Sequence, residues 1–205
     1  MIFRIAKLKD KSSLARLHLE AGRIQPDGFM HQLGFYFLKS YYDILLREKN
    51  SVVILAEDLD GVIHGFCSGT SSAEDHLIEL KRNKIILITA AIPALLMSPK
   101  LMFKILSRYR FVAGEKNSIE YGVSAGARSE YWAWRPQSKN LEMSVKMFNQ
   151  WKKIMFDLGC NSIKGEVDLK NKYILKLHRL LGAVVVAKLT LADGRERVII
   201  EYLKK

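Results

Sequence analysis

Apolar and polar residues alternate through residues 2–8, IFRIAKL, and that period of two predicts a strand. Asp10 or Ser12 can cap a following helix that carries Leu14, Leu17, Leu19 and Ala21 and ends at Gly22. Residues 22–28, GRIQPDG, read as a loop. Residues 33–50, LGFYFLKSYYDILLREKN, set apolar residues three and four apart and predict a second helix. In 51–70, SVVILAEDLDGVIHGFCSGT, two apolar runs flank Leu-Asp-Gly, the pattern of a β-hairpin. Residues 76–111 read as two helices broken around Ser98-Pro99, either a helical excursion packed on the sheet or a lid over a membrane surface or substrate. The Gly- and Ser-rich stretch 112–129 reads as a partly mobile connection. Residues 130–136, EYWAWRP, form a strand stopped by Pro136.

A helix over 138–159 should turn Leu141, Val145, Phe148, Ile154 and Met155 inward and end at Gly159. A strand over NSIKGEVDL, a short helix over Asn171–Leu181 and a hairpin turning at Asp193-Gly194 complete the chain. This order predicts one α/β domain, α+β in arrangement, over residues 1–205. A central mixed sheet would be flanked by helices, with 76–111 as a helical insertion and the C-terminal hairpin at one edge.

Composition narrows the chemistry. A chain of 205 residues with 49% hydrophobic positions can bury a sizeable core. Its net charge of +12, from 33 basic and 21 acidic residues, predicts an anionic partner such as a phosphorylated cofactor, an acidic carrier protein, nucleic acid or a membrane surface. Trp132 and Trp134 among basic residues invite a nucleic-acid reading. The cations are dispersed and no nucleic-acid motif occurs, so no nucleic-acid partner is expected. Cys67 and Cys160 form no CxxC and sit in apolar company, which suits reduced thiols of a cytoplasmic protein and neither zinc nor any other metal. The charged, alternating N-terminus is no signal peptide. The apolar run from Ile85 to Met97 falls short of the roughly 20 residues that span a bilayer and contains Pro93, but a peripheral membrane contact through 85–111 is open to it. The pattern does not fix the oligomeric state, a homodimer included.

The hairpin LAEDLDGVIHGFCSG and the stretch FDLGCNSIKGEVDLKNKYILKLHRLLGA, in this order, resemble the GNAT N-acyltransferases. The resemblance implies a fold that holds acyl-CoA between two splayed parallel strands, here 130–136 and the strand near 162–168. It implies transfer of an acetyl or similar group from CoA to an amine. Long helical inserts before the cleft strand are similar to those of members that modify amino sugars of surface polysaccharides. In the family an Asn follows the second cleft strand and a Tyr comes seven residues later. Here these positions hold Asn171, beside the cofactor by the resemblance, and His178.

The chain departs from the family at the cofactor's diphosphate. The resemblance expects a cation and two small residues opening the long helix, where backbone N–H groups cradle phosphate. This chain offers Lys139, Asn140, Leu141, Glu142, Met143 and Ser144. Glu142 stands where a Gly is expected and would repel a diphosphate about 4 Å away by about 1 to 4 kcal/mol. Cofactor binding is therefore assigned to Lys139, Asn140, Leu141 and Ser144, with Trp132 and Trp134 on the cleft wall. The alternative is a GNAT-like protein that has lost catalysis and binds an anionic ligand or partner.

Acyl transfer needs a base for the acceptor and an acid for the leaving thiolate. Strand alternation puts Glu130 on one face with Trp132 and Trp134, and Glu130 is the candidate base, with Glu120 and Glu166 as competitors. His178, near the sulphur by the resemblance, is the candidate acid.

Overall fold

Residues 1–24, 29–98, 101, 122–138, 140–191 and 194–204 are described by a computed structural model. The hairpin read from 51–70 is the centre of the fold. Its strands β2 (Ser51–Glu57) and β3 (Ile63–Thr70) pair antiparallel. Strand β1 (Ile2–Ile5) adds to β2, and β4 (Arg128–Trp134) adds to β3, both antiparallel. β5 (Ser162–Asp168) lies parallel to β4, with the single register pair Arg128↔Lys164. Beyond that pair the two strands part towards their C-terminal ends. β7 (Glu196–Leu203) pairs antiparallel with β5, and β6 (Val184–Thr190) closes the seven-stranded sheet, in the order β1-β2-β3-β4-β5-β7-β6.

Alternation along β2 builds a core on each face of the sheet. Val53 and Leu55 meet Leu14 and Leu17 of α1 (Lys11–Gly22) and Leu38, Tyr42 and Leu45 of α3 (Gly34–Leu45). Val52 and Ile54 meet Met147, Phe148, Trp151 and Met155 of α6 (Leu141–Asp157). The indole of Trp134 lies on Gly65 and that of Trp151 on Gly69, in space that any Cβ would occupy. Cys67 is buried in this second core, and Cys160 is half-buried beyond α6.

The insertion departs from its reading in two ways. Its helices α4 (Ala73–Arg82) and α5 (Lys84–Met97) break at Asn83, well before Ser98, which ends α5. Together they pack mainly on α3, with Leu80 and Leu87 against the core that α3 shares with the sheet and Ala91 of α5 buried against Leu33 and Leu101. Ile85, Ile88, Ile92 and Leu96 stay exposed at three- and four-residue spacing along α5. Among the described residues, no helix is long and apolar enough to cross a membrane. A short turn of helix, α2 (Phe29–Gln32), was not foreseen. Most of the connection 112–129, the helical segment 102–111 and Asp193 lie outside the described residues. The last helix, α7 (Lys172–Leu180), follows β5. On α6, Leu141 is 50% exposed, and Ser144 takes the buried position expected of an apolar neighbour.

Candidate functional site

Glu130 does not follow the alternation of its strand. Ser68 pairs with Tyr131 and Gly69 with Ser129, so Glu130 is the extra residue of a β-bulge in β4. The expectation that it shares a face with Trp132 and Trp134 is overturned, because a bulge shifts every residue on one side of it by half a period. Glu130 instead reaches towards α3 and α4. Its Oε2 accepts from the Tyr41 hydroxyl at 3.5 Å, and its Oε1 accepts from Arg128 Nε at 2.6 Å. Arg128 is buried, and its Nη1 donates to the Val123 carbonyl oxygen at 2.8 Å. His76 Nε2 stands 3.8 Å from Glu130 Oε1. A carboxylate at the head of the opening between β4 and β5, fixed by a guanidinium, is suited to accept a proton.

On the opposite side Trp132 stacks on Phe148, with centroids 4.4 Å apart, and its Nε1 donates to Ser144 Oγ at 3.0 Å. His178 meets both rings edge-on, and its Nδ1 lies 2.6 Å from the Tyr202 hydroxyl. Burial, with the Lys152 ammonium nearby, pushes the His178 imidazole down to about 4. It is therefore neutral at pH 7. The Tyr202 phenol is pushed upward by the same burial, so it stays protonated.

At the far end of β4 a cavity of about 270 Å³ is lined by Trp134, Arg135, Pro136, Ser138 and the first turn of α6. Asn140 caps that helix by accepting from Met143 N at 3.0 Å, while the amides of Leu141 and Glu142 precede its hydrogen-bonded ladder. Ser138 Oγ lies 3.1 Å from His64 Nδ1, and His64 Nε2 lies 2.7 Å from Asp58. Asp58 is held by its bond to His64 and by the amides of Val62 and Asp60, and these draw its carboxyl below the usual range. Arg135 and the Asp58–His64–Ser138 chain were missed from sequence; a cation directly after the strand was the available signal for the first, and nothing local signalled the second. Glu142 points away from this cavity, bridges to Lys146 at 2.6 Å, and leaves its side chain 76% exposed. Lys139 and Glu120 lie outside the described residues. Glu166 is paired with Arg197 at 3.0 Å, and Asn171 caps α7 by accepting from Ile174 N at 3.2 Å.

The cavity suits an anion: helix amides and a hydroxyl border it, Arg135 lines it with its Nε 3.7 Å from Glu20, and the one carboxylate of the turn is outside. The sites thus lie on both sides and at both ends of one strand, β4. Neither a family model nor a curated protein matches the sequence. Solved structures do. A ribosomal-protein-alanine N-acetyltransferase from Brucella melitensis superposes over 100% of both chains with TM-score 0.61 at 10% identity. The spermidine/spermine N-acetyltransferase of Vibrio cholerae covers 98% of this chain, with 91% of its own length matched, at TM-score 0.56 and 12% identity. An aminoglycoside 6'-acetyltransferase type Ii covers 99% of this chain, with 97% of its own matched, at TM-score 0.58 and 13% identity. The fold is that of the GNAT acetyltransferases. At these identities the likeness is one of fold.

Proposed function

We propose that this chain transfers an acetyl or similar acyl group from CoA to the amine of a small molecule. Glu130, lifted out of register by the bulge at the head of the β4–β5 opening, is the observation on which the reading rests. Its carboxylate takes the proton of the acceptor ammonium and leaves the nitrogen lone pair free to attack the thioester carbonyl. The first amides of α6, with Arg135, Ser138, Asn140 and Ser144 around them, would hold the diphosphate of the CoA moiety. Lys139 and Asn171 are further candidate contacts. Trp132 and Trp134 wall the path between the two ends. His178 is the titratable side chain beside Trp132. As a neutral imidazole it is a weak donor to a thiolate, so its contribution belongs at the low end of acid catalysis.

Amino sugars head the acceptor classes, on the likeness of the helical insertion, followed by polyamines. A cytoplasmic setting follows from the reduced thiols. The exposed apolar row of α5 on a chain of net charge +12 supports peripheral contact with an anionic membrane, which flotation with anionic vesicles tests.

Calorimetry with CoA, followed by thiol release from acetyl-CoA in the presence of glucosamine, spermidine or an aminoglycoside, tests the reading. Binding and turnover are expected. CoA binding without turnover of any amine would favour the second reading, a non-catalytic GNAT-fold binder, which Glu142 in place of a glycine and His178 in place of the tyrosine support. No binding at millimolar CoA would end the enzyme reading and favour a GNAT-fold binder of another anionic ligand or partner.

A further inference from the structure

Four ionisable side chains, His76 and Arg128 buried and Glu48 and Glu130 partly so, lie in a row from α3 to β4. Glu48, one turn past α3, places its carboxylate 2.8 and 2.9 Å from His76 Nδ1. His76 of α4 is 1% exposed, and its Nε2 has no hydrogen-bond partner among the described residues. That nitrogen faces Glu130 Oε1 at 3.8 Å, the oxygen that Arg128 also holds, while Oε2 accepts from Tyr41. Tyr41 stands edge-on to the His76 ring. Packing alone does not call for such a row, since buried ion pairs are at best neutral against apolar residues of the same volume. The row also has two open ends. Glu48 lines a groove of about 1230 Å³ between α3 and the α4–α5 pair, and Glu130 stands at the β4 bulge. Desolvation raises the Glu48 carboxyl above its usual range, which suits a group that receives a proton before releasing it.

We propose that His76, oriented by Glu48, relays the proton that Glu130 removes from the acceptor to the α3–α4 groove. This rests on Glu130 being the base. The acceptor ammonium gives its proton to the Glu130 carboxylate. Glu130 passes a proton to His76 Nε2 while the Nδ1 proton moves to Glu48, and Glu48 releases a proton to water in the groove. Glu130 and Glu48 return to their starting states, and Arg128 keeps its charge throughout. His76 is left protonated at Nε2, and a flip of its ring with proton exchange restores the Nδ1–H tautomer before the next turnover. The 3.8 Å gap is of the kind that tightens when substrate closes a site. His76 touches no substrate in this scheme; it is a positioning residue, and it gives the insertion that carries it a part in the chemistry.

The test uses the full chain with Glu130→Gln, His76→Gln and Glu48→Gln. The groups facing His76 are Glu48, Glu130 and Tyr41, with Arg128 acting on Glu130 and Glu79 on Glu48. In the free protein, imidazole nitrogen NMR should show Nδ1 protonated in the bond to Glu48, and the Nε2 signal should move in Glu130→Gln. With the amine that turns over, His76→Gln and Glu48→Gln should lower kcat about tenfold to a hundredfold with the KM for acetyl-CoA unchanged, and displace the acidic limb of the kcat–pH profile. An inactive Glu130→Gln alongside folded His76→Gln and Glu48→Gln with wild-type kcat and pH profile overturns the relay and spares the base. A fully active Glu130→Gln removes the base reading itself. Should His76→Gln not fold, Glu48→Gln decides by the same readouts, and an Nε2 signal indifferent to Glu130→Gln counts against the relay without any turnover.

Discussion

The two sides of β4 bury histidines in opposite company. On the α6 side His178 has aromatic rings, a phenol and an ammonium as neighbours, and burial drives it neutral. On the α3 side His76 has a carboxylate facing each ring nitrogen, and the nearest cation is tied to one of those carboxylates. Both rings are buried, and what distinguishes them is the charges placed beside each. On the proposed mechanism, proton traffic runs on the α3 side, while the α6 side is a packed aromatic cluster. The bulge at Glu130 creates this division, because without it the carboxylate would project among Trp132, Phe148 and His178.

The comparison breaks most readily at Glu130. Glu130→Gln keeps the shape and the Arg128 contact but cannot take a proton. Turnover should fall by about 10²- to 10⁴-fold with CoA affinity nearly unchanged. Loss of CoA affinity with an unchanged turnover rate would move Glu130 from chemistry to cofactor binding.

Next in size is Phe148→Ala. The ring is fully buried and carries both Trp132 and His178, so its loss should lower stability by about 3 to 5 kcal/mol in chemical denaturation. The same cavity admits water to His178 and should bring its titration midpoint back up, as NMR would read. A stability loss with the His178 midpoint unmoved would mean that the aromatic cage is not what neutralises it.

The acid limb of stability separates the two sides further. The folded-state value of His178, about 4, lies below its usual value of 6.5, so between these pH values the unfolded chain binds more protons. Stability is then complete above about pH 6.5 and is lost as pH falls towards 4, by about 3 kcal/mol from this residue. His18, stacked on Tyr131 and held down to about 3, adds a loss of the same sign. His178→Asn does not titrate and can still bond the Tyr202 hydroxyl. It should make the decline between pH 6.5 and 4 shallower without abolishing it. An unchanged slope would show that His178 is protonated in the folded protein.

Much of this fold was legible as pattern. The hairpin 51–70 lay in its alternation and turn, and the caps Asn140 and Asn171 stand just before runs of helical period. What failed was what pattern cannot carry. A bulge inserts one residue without changing composition, so the alternation that correctly groups Trp132 with Trp134 misplaces Glu130. The break at Asn83 was hidden because no glycine or proline signals an end there, and Asn83 bonds back to Glu79. The site was half legible for a related reason. Residue type pointed to Glu130 and His178, but Glu48 and His76 join Glu130 and its strand neighbour Arg128 from two other segments, a closeness that only the fold creates.

The smallest effect is expected at Glu142, the residue that the sequence made most suspect. Its threat to a bound diphosphate was Coulombic, and that energy depends on distance and on the medium between the charges. The side chain turns into solvent and takes the Lys146 ammonium, which draws its carboxyl below the usual range. High dielectric and a neighbouring cation both weaken its field at the cavity on the inner side of the turn. Glu142→Gln should therefore tighten CoA binding at most a few-fold at low salt, and the gain should vanish at physiological ionic strength. The control is Arg135→Gln, which removes a cation lining the cavity and should weaken CoA binding at both salt concentrations. A large, salt-resistant gain in Glu142→Gln would mean that the carboxylate turns inward when CoA binds, and that the first turn of α6, more than the bulge in β4, limits this protein's hold on its cofactor.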